Sequence, residues 1–140
     1  MQLTDALANT LGKGLSAQEI ELLARMASER LVLGGEVLVR QFERNSDIHL
    51  VLSGSLRIYA GSDELVAEVG EGSVIGEVAL VDDGPRSATV RSNGESRVAV
   101  LPADQLRQLC EDNERIGFVL MRNVAKVLAS RIRGANLHLK

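Results

Sequence analysis

One stretch of this chain gathers a glycine, an acid and an arginine at a spacing suited to binding an anion beside a hydroxyl group. It runs Ile75-Gly76-Glu77-Val78-Ala79-Leu80-Val81-Asp82-Asp83-Gly84-Pro85-Arg86-Ser87-Ala88-Thr89-Val90. A strand leads into Gly76, and Glu77 to Leu80 can form one helical turn starting there. Amides at a helix start lack intrahelical acceptors and can serve an anion, and glycine lets that anion approach the backbone closely. A lone phosphodiester also calls for a guanidinium, with its planar pair of donors. Arg86 follows Gly84-Pro85 across a short turn, at the start of the next strand. Glu77 can accept a hydrogen bond from a sugar hydroxyl, as acids do for riboses in dinucleotide sites. An anion and a 2′-hydroxyl held by one compact cassette describe a ribose phosphate. Taken singly, the same residues admit a plainer account, with Glu77 and Arg86 as a surface ion pair across a hairpin and Gly76 as a turn residue.

The run as a whole closely resembles the phosphate-binding cassette of the cyclic-nucleotide-binding domain family. That family includes the regulatory subunits of cAMP-dependent protein kinase, the catabolite activator protein and cyclic-nucleotide-gated channels. Its pattern is Phe-Gly-Glu-aliphatic-Ala-Leu, a short variable loop, then Pro-Arg, a small residue, Ala and Thr. Gly76-Glu77-Val78-Ala79-Leu80 and Pro85-Arg86-Ser87-Ala88-Thr89 supply it here. The resemblance covers nearly the whole chain, since Asp47 to Tyr59 matches the family's strand-glycine-strand signature around Gly54 and the flanking helices fit. Two departures stand out: Ile75 replaces the aromatic before Gly-Glu, and Glu43-Arg44-Asn45 replaces a glycine-aspartate pair after the second strand.

The resemblance implies that Arg86 binds the cyclic phosphate and Glu77 the ribose 2′-hydroxyl. Backbone around Gly76, Val78, Ala79 and Ala88 would complete the cradle, and Ser87 would touch phosphate or base. Members selective for cGMP often carry threonine at the Ser87 position, the kinase cAMP sites carry alanine, and some bacterial cAMP binders carry serine. The reading taken is cAMP, with cGMP as the alternative, no cofactor and no catalysis. The resemblance further implies that the C-terminal helix closes over the base as a lid. Leu128, Arg131, Ile132 and Arg133 are its candidate residues, with Arg131 and Arg133 as the groups able to reach the purine. The expected partners are a cyclic nucleotide, a protein effector and a second copy in a homodimer. The expected setting is cytoplasmic, either as a natural one-domain sensor or as a piece of a channel or transcription factor.

The elements that position this cassette read as helix, β-roll and helix pair. Ser16-Ala17-Gln18-Glu19 is a capping box opening a helix with Ile20, Leu23, Ala24 and Ala27 on one face. The helical part is expected over residues 1–30, beginning with a short helix over 2–11. From Leu31 the period changes to two, through Val37, Ile48 to Leu52, Leu56 to Tyr59 and Leu65 to Val69, and then Ser87 to Arg91 and Arg97 to Leu101. Turns at Gly34-Gly35, Ser53-Gly54, Gly61-Ser62-Asp63 and Gly70-Glu71-Gly72 separate the strands. The class expected is α+β, an antiparallel β-roll of jelly-roll type over 31–102, with helices before it and a helix pair over 103–140. Ile116, Leu120, Val124, Val127, Leu128 and Ile132 form the apolar face of the last helix.

Composition narrows the remaining classes. The 140 residues suit one domain, 45% are hydrophobic and 25% charged, and no apolar run nears the ~20 residues that span a bilayer. A net charge of −3 and only three aromatic side chains (Phe42, Tyr59 and Phe118) argue against general nucleic-acid binding. Six basic residues against one acid from Asn113 onward read as a solvated helix face. The single Cys110 lies on an apolar stripe with Leu106 and Leu109 and reads as a structural thiol. A cupin-like metalloenzyme shares the roll, but His49 and His138 are too far apart in the pattern to build its ligand cluster.

Overall fold

In the computed structural model residues 1–61, 63–82 and 84–139 are described, with side chains through residue 134. Ser62 of the third turn, Asp83 of the cassette, the side chain of His138 and Lys140 lie outside the described residues. Two short helices open the chain, α1 (Leu3–Asn9) and α2 (Ala17–Met26). Eight strands follow: β1 (Ser28–Val32), β2 (Val37–Val39), β3 (Asp47–Ser53), β4 (Ser55–Ala60), β5 (Glu64–Gly70), β6 (Val74–Ile75), β7 (Thr89–Ser92) and β8 (Ser96–Pro102). A 3₁₀ turn, Glu77–Leu80, separates β6 from β7, and α3 (Ala103–Asp112) and α4 (Glu114–Leu139) end the chain. The α+β roll with flanking helices is the architecture expected from the sequence.

The strands form two antiparallel four-stranded sheets, ordered β1-β8-β3-β6 and β2-β7-β4-β5. Val32, Val39, Val51, Leu56, Val90 and Val98 fill the space between them. The outer face of the first sheet carries Ile48, Leu50, Leu52 and Leu101, and on these pack Leu7, Leu23, Leu106, Ile116 and Leu120 from all four helices. β3 is therefore covered on both faces, which explains its unbroken apolar run. Strand alternation sends His49 to the same side as Val51, into the roll interior.

Helix α2 is held at its start as the sequence implies: the Glu19 amide donates to Ser16 Oγ, and the Ser16 amide donates to Glu19 Oε1. Its end differs from expectation. The helix stops at Met26 because Ala27 turns extended, and Ser28 to Val32 pair with β8 from Val100 to Ser96. Residues 28–31 are all solvent-exposed, so no alternation betrays the strand. Helix α1 likewise closes at Asn9, where the Thr10 and Gly12 amides both donate to the Leu7 carbonyl. Cys110 packs half-buried against the helical core, and burial pushes its thiol pKa up, so it stays protonated.

Gly54 joins β3 to β4 with a left-handed φ of 86°, and a Cβ there would meet the Glu95 carbonyl oxygen at 2.8 Å. Both the conformation and the space exclude a side chain. Gly54→Ala is expected to lower stability by about 2–4 kcal/mol in urea titration; a change below about 0.5 kcal/mol would show that this junction relaxes freely.

Candidate functional site

β6 delivers the chain to Gly76, whose φ of 85° and ψ of 16° reverse the backbone into the 3₁₀ turn. The turn is closed by the Ala79 amide on the Gly76 carbonyl at 3.0 Å and the Val81 amide on Val78 at 2.9 Å. From helix α3, Arg107 reaches back and donates through Nη1 to the Ala79 carbonyl at 2.7 Å, while Asp104 holds its Nη2. Sequence reasoning missed Arg107, because nothing in the pattern of α3 marks a residue that serves a turn 28 positions earlier.

Arg86 is anchored from the β2–β3 loop. Its amide donates to the Glu43 carbonyl at 2.8 Å and its carbonyl accepts from the Phe42 amide at 2.8 Å. Phe42 adopts a left-handed φ of 74° in making that contact. The guanidinium donates through Nη2 to Asn45 Oδ1 at 3.2 Å and to the Asp47 carbonyl, and Asn45 is itself fixed by the Asp47 amide at 2.7 Å. The loop that departs from the family pattern is therefore the one that orients Arg86, through an amide and a carbonyl oxygen. Gly76 is what makes room for it: a Cβ there would lie 2.5 Å from Arg86 Nη1 and 3.1 Å from the Asp47 oxygen. Burial lowers the Arg86 pKa from its ordinary value, and the Asp47 carboxylate partly offsets this. Its Nε is buried with no acceptor among the described residues. A half-buried cation with an unmet donor is suited to an anion.

A cavity opens beside this guanidinium. It measures about 570 Å³ and is lined by Gly76, Val78, Ala79, Arg86, Ser87 and Ala88, with Ile58, Val66, Val69 and Val74 as an apolar wall. The structure thus brings six of the seven expected binding residues to one cavity. A larger groove of about 760 Å³ runs between α3 and α4 beside Phe118 and Met121. It is open and mainly apolar, and Arg107 and Arg122 on it are engaged with Ala79 and with the Phe118 ring. The cassette cavity is the better candidate because the half-buried Arg86 guanidinium, with its unmet donor, lines it.

Glu77 departs from the simple picture. Its carboxylate is only 2% exposed and lines a neighbouring cavity of about 420 Å³ with Lys13, Asn123 and Lys126. It forms no ion pair with Arg86; its counter-charge is Arg131 of α4, Nη2 to Oε1 at 2.6 Å. Arg131 also lines the cassette cavity, so this member of the candidate lid does reach the site. The others do not: Leu128 packs against the helical core, and Ile132 and Arg133 are exposed. The apolar face of α4 is core over its first half, with Ile116, Leu120 and Val124 buried and Asn123 donating to the Leu11 and Lys13 carbonyls. Arg115, Arg122, Lys126, Arg131 and Arg133 are all exposed, as a solvated face requires, although Arg115 pairs with Glu19 and Arg131 with Glu77. Among the described residues no three His, Cys, Asp or Glu converge as metal ligands, and no helix is long and apolar enough to cross a membrane.

The sequence profile of the cyclic nucleotide-binding domain family matches residues 29–113, and the chain belongs to that family. It is 32% identical over 134 residues to the cyclic AMP receptor protein of Thermus thermophilus, covering 90% of this chain and 58% of that protein. The chain thus spans little more than half of that relative, and smaller shares of channel and kinase relatives. The crystal structure of the Thermus thermophilus catabolite activator protein superposes with a TM-score of 0.80 at 28% identity, over 92% of this chain and 61% of that one. A cyclic nucleotide-binding domain from Methylobacillus flagellatus KT gives 0.84 at 22% identity, over 94% and 79%, and shows the same fold.

His49 lies inside the roll, 3% exposed, and its Nδ1 has no partner among the described residues. Burial first, then the charges of Arg86 and Arg30, lower its pKa to about 4. A histidine kept neutral on folding takes up its proton more readily unfolded, so stability is full above about pH 6.5 and falls as pH drops toward 4. The wild type should lose of order 3 kcal/mol more than His49→Gln across that window in urea titrations. Parallel losses in the two proteins would contradict a buried neutral imidazole.

Proposed function

We propose that this chain is a non-catalytic sensor module that binds a cyclic nucleotide in the Gly76–Ala88 cassette, cAMP in preference to cGMP. The observation that carries the reading is Arg86, a half-buried guanidinium whose Nε, without an acceptor among the described residues, and close packing on Gly76 prepare it for a phosphodiester. The apolar wall of Ile58, Val66, Val69 and Val74 suits a purine, and Ser87, exposed at the rim, suits a contact to base or phosphate. The preference for cAMP is supported by the name of the Thermus thermophilus relative, a cyclic AMP receptor protein. Residues 125–134 of α4, beyond the packed Val124, act as lid and output toward a protein effector.

Arg86→Ala should lose most nucleotide affinity while the fold survives, because truncating the partner of a desolvated charge costs ~2–5 kcal/mol. Calorimetry with cAMP on the folded variant checks this, and affinity equal to wild type would remove Arg86 from the site. Ser87→Ala should weaken cGMP more than cAMP, since only guanine offers a 2-amino donor to the hydroxyl. Equal losses would place Ser87 against the phosphate, and a larger loss for cAMP would reverse the assignment.

A further inference from the structure

The Glu77–Arg131 pair joins a buried partner to an exposed one. The carboxylate is 2% exposed, while the Arg131 side chain is 57% exposed. Neither Glu77 oxygen accepts a hydrogen bond from the described residues, so the 2.6 Å contact is coulombic without hydrogen-bond geometry. A buried carboxylate needs a counter-charge, and removing it leaves the charge uncompensated. The Arg131 guanidinium is already largely in water, so the cost of separating the pair falls on the carboxylate, and a group that displaces Arg131 must itself satisfy Glu77. Among the described residues Arg131 is also the one charged residue that lines both the cassette cavity and the cavity holding the carboxylate. Glu77 lines only the second of these cavities, so Arg131 is the charged group shared by the carboxylate and the cassette.

We propose that Arg131 determines the affinity of the site for a ribose 2′-hydroxyl by occupying Glu77 until that hydroxyl displaces it. The proposal rests on the nucleotide reading given above. Arg131 is then not a purine contact in the ligand-free chain but a built-in competitor, and its release frees residues 125–134 to reseat. A ligand gains affinity only from the fraction of molecules in which Glu77 is available, so a site that is nine-tenths occupied by Arg131 binds about tenfold more weakly than an open one. A ligand without the 2′-hydroxyl has no cause to displace Arg131 and is indifferent to it.

The test compares cAMP with 2′-deoxy-cAMP by calorimetry on the whole chain as wild type, Arg131→Gln and Arg131→Lys. Arg131→Gln should bind cAMP about tenfold tighter and 2′-deoxy-cAMP unchanged, while Arg131→Lys stays near wild type. Weaker binding of both ligands would make Arg131 a lid contact, and an equal change for both would remove it from competition for Glu77; either overturns the proposal. Hydrogen exchange without nucleotide gives a second readout: amides 128–134 should exchange faster in Arg131→Gln, and unchanged exchange would mean that the ion pair does not hold the helix. If the wild type binds neither nucleotide, the nucleotide reading itself fails and the competitor role falls with it. Failure of the competitor role alone shows instead as binding that Arg131→Gln does not strengthen selectively.

Discussion

The arrangement of Arg86 is the constraint on which the site depends. A guanidinium that is half withdrawn from water must be compensated, and here compensation is incomplete. The Asp47 carbonyl and Asn45 take Nη2, while Nε has no acceptor among the described residues. A carboxylate fork-to-fork with the guanidinium would satisfy it internally and close the site to an anion. Neutral oxygens orient the group without neutralising it. The same geometry demands Gly76, because any side chain there would occupy the space of Arg86 Nη1.

The remaining elements can be understood as fixing the parts around that guanidinium. The β2–β3 loop grips the Arg86 backbone at both its amide and its carbonyl. Arg107 ties the 3₁₀ turn to α3, and α3 packs on the same helical core as α2 and the first half of α4. The cassette is thus clamped on one side by a loop and on the other by a helix. The distal half of α4 is different, since its link to the cassette runs through the exposed arginine at 131. Such an end, with few buried contacts, is where a ligand can alter the balance of arrangements.

Much of this was legible in the sequence. The capping box at Ser16, the period of two and the glycine turns have local causes, so they can be read without knowing the rest of the chain. The Gly76–Ala88 run stood out because its residues are contiguous, and six of its seven candidate binding residues line one cavity. What escaped was set by distant partners. Ser28 to Leu31 become a strand only because β8 lies beside them, and their exposure erases the alternation that would announce it. Arg107, Asn45 and the Asp47 carbonyl act on the cassette from other elements, and the pairing of Glu77 with Arg131 spans the domain. The apolar face of α4 was visible, but what it rests on was not: its first half packs on helices and sheet rather than at the pocket mouth.

The central claim is that the phosphodiester supplies the acceptor which Arg86 lacks, and the side-chain resonance of Arg86 reports on this directly. A ¹H–¹⁵N titration of the wild-type chain with cAMP should shift the Arg86 Nε–H in a saturable manner and slow its exchange with water, together with the Gly76, Ala79 and Ala88 amides. Saturable binding that leaves the Arg86 Nε–H unmoved, with its exchange unchanged, would contradict the account.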